Sequence, residues 1–146
     1  MTGFILIGGG IFMMFVHFKS EYSEKDIISL LSAYFNIKQE DIFLSYELDD
    51  TTQVPEKSKI WCNITKRKSR GFYFTLEIYQ YDNNLEDEEK NFAEAITEKL
   101  KTECLIIPPE ENEYGDWLLV KGINNSQIVK EISEGQDEGI LIEEVR

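Results

Sequence analysis

The sequence predicts an α+β fold: a mostly antiparallel sheet with a central β-meander and two to three helices packed on one face. Two observations lead there. Strand-like runs outnumber helical ones, and those between residues 41 and 81 follow one another through short connections, as in a meander. Aromatic residues make up 12% of the chain, and rings suit the pleated, half-buried surface of a sheet. Helical stretches flank the strands and would cover one face, the arrangement of an α+β domain.

The elements follow in order. Residues 4–18 (FILIGGGIFMMFVHF) read as strand, glycine turn, strand, with 11–19 apolar on both faces and central in the sheet. A second reading makes Met13 or Met14 the natural start and residues 1–12 an appendage. Fifteen apolar residues broken by Gly8, Gly9 and Gly10 fall short of the ~20 that a membrane span needs. The run also lacks the basic leader and small-residue cleavage site of a signal peptide. Ser23 then caps a helix of about fourteen residues, whose apolar positions Ile27, Leu30, Leu31 and Tyr34 recur with helical spacing.

Residues 41–48 alternate, with Ile42, Leu44, Tyr46 and Leu48 on one side. Residues 49–55 form a loop. Residues 58–66 alternate again, with Ile60, Cys62 and Ile64 opposed to Trp61, Asn63 and Thr65. Residues 67–71 connect a hairpin to the strand at 72–81, which sets Phe72, Phe74, Leu76 and Ile78 against Tyr73, Thr75, Glu77, Tyr79 and Tyr81. A second helix runs over about 85–102, with Leu85, Phe92, Ala93, Ile96 and Leu100 inward and acids in its first turn, where they suit the helix dipole. Short strands follow at 103–107 and 114–121. Ser126 caps a short third helix over 127–134, with Ile128, Val129 and Ile132 inward, and 139–145 closes the chain as a strand.

A chain of 146 residues has the size of one domain, here 1–146, and can bury a core without disulfides or a structural metal. Its net charge of −13 is uneven. Residues 1–84 hold 11 acids and 9 bases, whereas residues 85–146 hold 17 acids and 6 bases. That field repels phosphate backbones and anionic lipid, which argues against direct nucleic-acid or membrane binding. It attracts basic partners and keeps a cytoplasmic protein soluble.

No pattern for catalysis or metal binding stands out, and no cofactor is expected. The one histidine, His17, sits in an apolar strand and reads as a hydrogen-bonded structural residue. Cys62 and Cys104 lie in apolar runs as small buried hydrophobes, and the sequence leaves a single disulfide between them open. Zinc spacing and a calcium loop are both missing. Gly8–Gly10 matches no phosphate-cradling motif. The basic cluster Lys66, Arg67, Lys68 and Arg70 beside Tyr73, Tyr79 and Tyr81 has the makings of a single-strand nucleic-acid platform, but reads as a solvated hairpin tip.

The acidic segments remain: Asp49 and Asp50, the helix start at 86–89, and Glu110, Glu111, Glu113 and Asp116 interleaved with Tyr114 and Trp117. The last has the composition of a binding edge, in which rings anchor and charge steers. In size and acidity the chain resembles the immunity proteins of bacterial contact-dependent and polymorphic toxin systems. The resemblance implies a non-enzymatic antitoxin that binds a basic toxin domain, often a nuclease, and covers its active site, with Asp49, Asp50, Glu110, Glu111, Glu113, Tyr114, Asp116 and Trp117 as partner-binding residues. Two other classes fit the same composition: a small regulatory or ligand-binding domain, and a DNA mimic that blocks a DNA-binding protein.

Overall fold

In the computed structural model, residues 12–46, 58–67, 70–80, 88–108, 116–132 and 139–143 are described. They form seven strands and two α-helices in the order β1 (Phe12–Phe18), α1 (Glu24–Phe35), β2 (Ile42–Tyr46), β3 (Ile60–Lys66), β4 (Phe74–Gln80), α2 (Glu88–Leu100), β5 (Cys104–Ile106), β6 (Asp116–Val120) and β7 (Ser126–Lys130), with one 3-10 turn (Gln39–Asp41) before β2. The strands make a mostly antiparallel sheet in the order β2-β3-β4-β1-β5-β6-β7. The α+β class therefore holds. The chain resolves into two compact units, each drawn from three stretches.

The first unit comprises Met1–Met14, Tyr22–Thr65 and Leu76–Glu86. Its helix α1 starts as the sequence predicts. The Ser23 hydroxyl accepts the Asp26 N–H at 3.1 Å, and Ile27, Leu30 and Leu31 are buried. Asn36 ends it in the left-handed conformation (φ 54°), which lets the Ile37 N–H reach back to the Ser32 carbonyl at 3.2 Å. α1 packs on β2.

β2 and β3 run parallel, with Ile42 beside Ile60 and Tyr46 beside Ile64, so this pair is not part of an antiparallel meander. A parallel pair needs a crossover of about a dozen residues or more. The stretch between Tyr46 and Ile60 is long enough to supply one, and its turn-rich composition reads equally well as a simple loop. β3 is buried along both faces over Ile60–Ile64, where simple alternation was expected. Trp61 and Asn63 are as enclosed as Ile60 and Cys62.

The second unit comprises Phe15–Glu21, Lys66–Thr75 and Asp87–Arg146. Here β5 pairs antiparallel with β1 (His17 beside Leu105) and with β6 (Leu105 beside Leu119), and β6 pairs antiparallel with β7 (Trp117 beside Val129). α2 packs on β5 and β6 through buried Phe92, Ala93 and Ile96.

The third helix expected at 127–134 is instead β7. Gly122 (φ 133°) and Asn124 (φ 57°) make a tight reversal in which the Lys121 N–H donates to the Asn125 carbonyl at 2.8 Å and the Asn125 N–H to the Gly122 carbonyl at 3.2 Å. Glu98 on α2 fixes the turn by accepting the Ile123 N–H at 3.1 Å. β-Branched Ile128 and Val129 suit a strand, and a strand buries Val129 while leaving Ile128 47% exposed, where a helix would have turned both inward.

Of the strand expected at 139–145, the described residues 139–143 make two single bridges, Phe72 with Ile140 and Glu131 with Ile142. They matter nonetheless, because the segment bridges the chain leaving β7 and the chain entering β4. A cluster of buried Phe72, Leu105, Leu119 and Val129 lies here, with Trp117, Ile140 and Ile142 packed against it. At Gly71 (φ 63°) the backbones approach so closely that an added Cβ would lie 2.5 Å from the Ile140 carbonyl oxygen.

Candidate protein-binding surface

Of the eight residues expected to bind a partner, Asp49, Asp50, Glu110, Glu111, Glu113 and Tyr114 lie outside the described residues. Asp116 and Trp117 open β6 side by side, and strand alternation sends them to opposite faces. Asp116 stands opposite Lys130 across the ladder. Trp117 is half-buried against the cluster of Phe72, Leu105, Leu119 and Val129. Its Nε1–H donates to Glu131 Oε1 at 2.8 Å, and its ring meets that of His17 edge-on, centroids 5.1 Å apart.

Many of the second-half acids have internal work that composition could not disclose. Glu89 accepts the Phe15 N–H at 3.2 Å, Glu98 holds the β6–β7 turn, and Glu131 holds Trp117. Glu103 pairs with Lys19 at 2.6 Å, and Glu94 faces Lys90 at 3.9 Å. Burial pushes the Glu89 carboxyl above its ordinary range, against the opposing pull of that N–H.

The titratable groups nearest to acid–base or nucleophilic chemistry are held neutral. His17 shares a 2.8 Å hydrogen bond between Nδ1 and Thr75 Oγ1. Burial, and secondarily the charge of Arg67, lower its pKa to about 4. Cys62 and Cys104 are free thiols, both buried, and burial pushes both pKa values up, with Glu77 adding to the effect on Cys62 and Glu89 on Cys104. At neutral pH these three supply neither an imidazolium nor a thiolate. Among the described residues no group of three or more His, Cys, Asp or Glu side chains could hold a metal ion. No described helix is long and apolar enough to cross a membrane.

The basic hairpin is tied back. Glu21 accepts from Lys66 Nζ at 3.1 Å and from the Tyr73 hydroxyl at 3.2 Å. Tyr79, on the same side of β4 as Tyr73, is buried and stacks on Trp61 with centroids 4.8 Å apart, so its face is already occupied.

That stack roofs a polar chain in the first unit that the sequence did not announce. Trp61 Nε1–H donates to Ser45 Oγ at 2.7 Å, and the Ser45 hydroxyl donates to Asn63 Oδ1 at 2.9 Å. Asn63 Nδ2 reaches Glu77 Oε1 at 3.4 Å, Thr65 donates to the same oxygen at 3.1 Å, and the Tyr79 hydroxyl donates to Glu77 Oε2 at 2.8 Å. Asn63, Thr65 and Tyr79 thus all donate to the one Glu77 carboxylate. Such a chain satisfies Asn63, which is 1% exposed, and fixes the register of three neighbouring strands. At the outer end of β2, Tyr46 is 55% exposed and its hydroxyl donates to Glu24 Oε2. Partial desolvation and that carboxylate raise the phenol to about 12.

No family model, curated protein or solved structure matches the chain.

Proposed function

We propose that this chain is a non-enzymatic, cytoplasmic inhibitor of a basic protein, acting as immunity proteins do: it neutralises a cationic toxin domain, a nuclease by preference, by covering its active site. The observation that carries the reading is the charge map, −13 overall with 17 acids against 6 bases beyond residue 84. The ladder adds a reason for that charge to act together. Asp116 and Lys130 are register partners, so the chain enters β6 and leaves β7 at the same end of the hairpin. Glu110, Glu111 and Glu113 precede Asp116 along the chain, and Glu134, Asp137 and Glu138 follow Glu131. Carboxylates that precede and follow one hairpin along the chain add to a negative field that steers a cationic surface before short-range contacts form.

The test is a titration of cationic nuclease domains with the full chain. The reading expects one-to-one loss of activity for a selected nuclease and no effect on unrelated ones, and it expects reversal of Glu110, Glu111 and Glu113 to lysine to slow association. A chain that displaces DNA from many unrelated basic proteins would instead be a DNA mimic.

A further inference from the structure

We propose that β2 is a docking edge, open to an extended strand of a basic protein that would add to the sheet alongside it. The inference rests on the inhibitor reading and names the part of the surface that carries it. The two terminal strands of the sheet are treated differently. β7 is capped by its own chain, since the Ile132 N–H donates to the Leu141 carbonyl at 2.8 Å and the Glu143 N–H to the Lys130 carbonyl at 2.9 Å. Among the described residues, no segment pairs with the outer side of β2.

Proteins guard an open edge with lysine, proline, a bulge or a covering segment, because a row of outward N–H and C=O groups is a template for another strand. The β2 sequence, Ile-Phe-Leu-Ser-Tyr, contains no charge and no proline. Its register with β3 is unbroken over all five residues, so no bulge turns the edge away. Its outermost ring, Tyr46, is exposed and held in place by Glu24, as an anchor residue would be.

Charge selects the occupant. Residues 38–50 hold five acids and one base, all outside the strand itself: Glu40 and Asp41 before it, Glu47, Asp49 and Asp50 after it, and Lys38. An apolar centre between acidic flanks matches a strand with an apolar centre and basic ends. A second copy of this chain is the wrong partner, because each brings a charge of −13.

The experiment is amide hydrogen exchange on the full chain, with three synthetic peptides as probes. One alternates valine and threonine between paired lysines, one replaces the lysines with glutamates, and one keeps the lysines but has prolines in place of the threonines. The proposal expects slowed exchange within Ile42–Tyr46 with the first peptide only, and Tyr46→Lys, at an exposed position, to weaken binding about tenfold. No slowing at these amides, equal slowing with the glutamate peptide, or slowing that grows with protein concentration alone would overturn it. The two levels separate cleanly. A cationic nuclease that is inhibited without protecting Ile42–Tyr46 removes the docking edge and leaves the inhibitor standing. Protection by the lysine peptide in a chain that inhibits no cationic nuclease keeps the edge and removes the inhibitor.

Discussion

Acid should destabilise this fold through His17, and the size of the effect can be worked out. In the unfolded chain a histidine protonates at its ordinary value of 6.5, whereas in the folded chain the pKa is about 4. Between those values the unfolded state binds a proton that the folded state refuses. Stability from this group is therefore complete above pH 6.5 and is lost as pH falls through 4. The gap corresponds to about 3 kcal/mol in full, with roughly 2.5 kcal/mol gone by pH 4.5. The measurement is urea unfolding, followed by tryptophan fluorescence at pH 7 and pH 4.5, of the wild type and His17→Asn. Asparagine can still bond Thr75 but cannot ionise. Glu89, whose raised pKa acts in the opposite sense, is present in both and cancels. The wild type should lose about 2.5 kcal/mol more than the variant over that interval. Equal losses would refute the claim that the ring is held neutral by burial.

Three further outcomes follow from the packing. Glu77→Gln places a donor among the converging donors of Thr65, Asn63 and Tyr79 and should cost about 2 kcal/mol, read as a lower urea midpoint; an unchanged midpoint would show that the chain of bonds is incidental. Gly71→Ala puts a methyl group 2.5 Å from the Ile140 carbonyl in a left-handed conformation and should cost about 2 kcal/mol or more, with faster exchange at Phe72 and Ile140; wild-type exchange there would argue that the bridge is loose. Cys62 and Cys104 should resist a thiol reagent at pH 8 until urea unfolds the chain; rapid native labelling would contradict their burial.

How much was legible in the sequence depended on whether a residue's role is local. Ser23 and the spacing of Ile27, Leu30 and Leu31 specify α1 by themselves, because a cap and a stripe are both short-range. The alternation in β4 survives over Phe74–Ile78, with Phe74, Leu76 and Ile78 buried, and breaks at Tyr79, which is buried as well. Strand direction is not local. Nothing in residues 42–46 or 60–66 marks the pair as parallel, and only the length of the intervening stretch hinted at it. The segment at 127–134 failed for a different reason. Ile128, Val129 and Ile132 fit a helical stripe and a strand equally over so short a run, and the deciding signal was the turn Gly122–Asn125, which reads as a hairpin once its two positive φ angles are known.

The candidate surface was legible as charge and illegible as geometry. Composition shows the excess of acids but not that Glu89, Glu98, Glu103 and Glu131 serve the fold. It shows an alternating polar side to β3 and β4 but not that Asn63, Thr65 and Glu77 turn it into a directed chain of hydrogen bonds. An edge position is invisible to sequence altogether, since β2 becomes terminal among the described strands only when their order is known.

The most direct test of the central claim is the association rate of the chain with a cationic nuclease domain that it neutralises, measured by stopped flow from low to high ionic strength. Electrostatic capture predicts a rate that falls steeply with added salt while the dissociation rate hardly changes. An association rate that stays level across the same range would mean that the acidic excess plays no part in finding a partner, and the account would fail there.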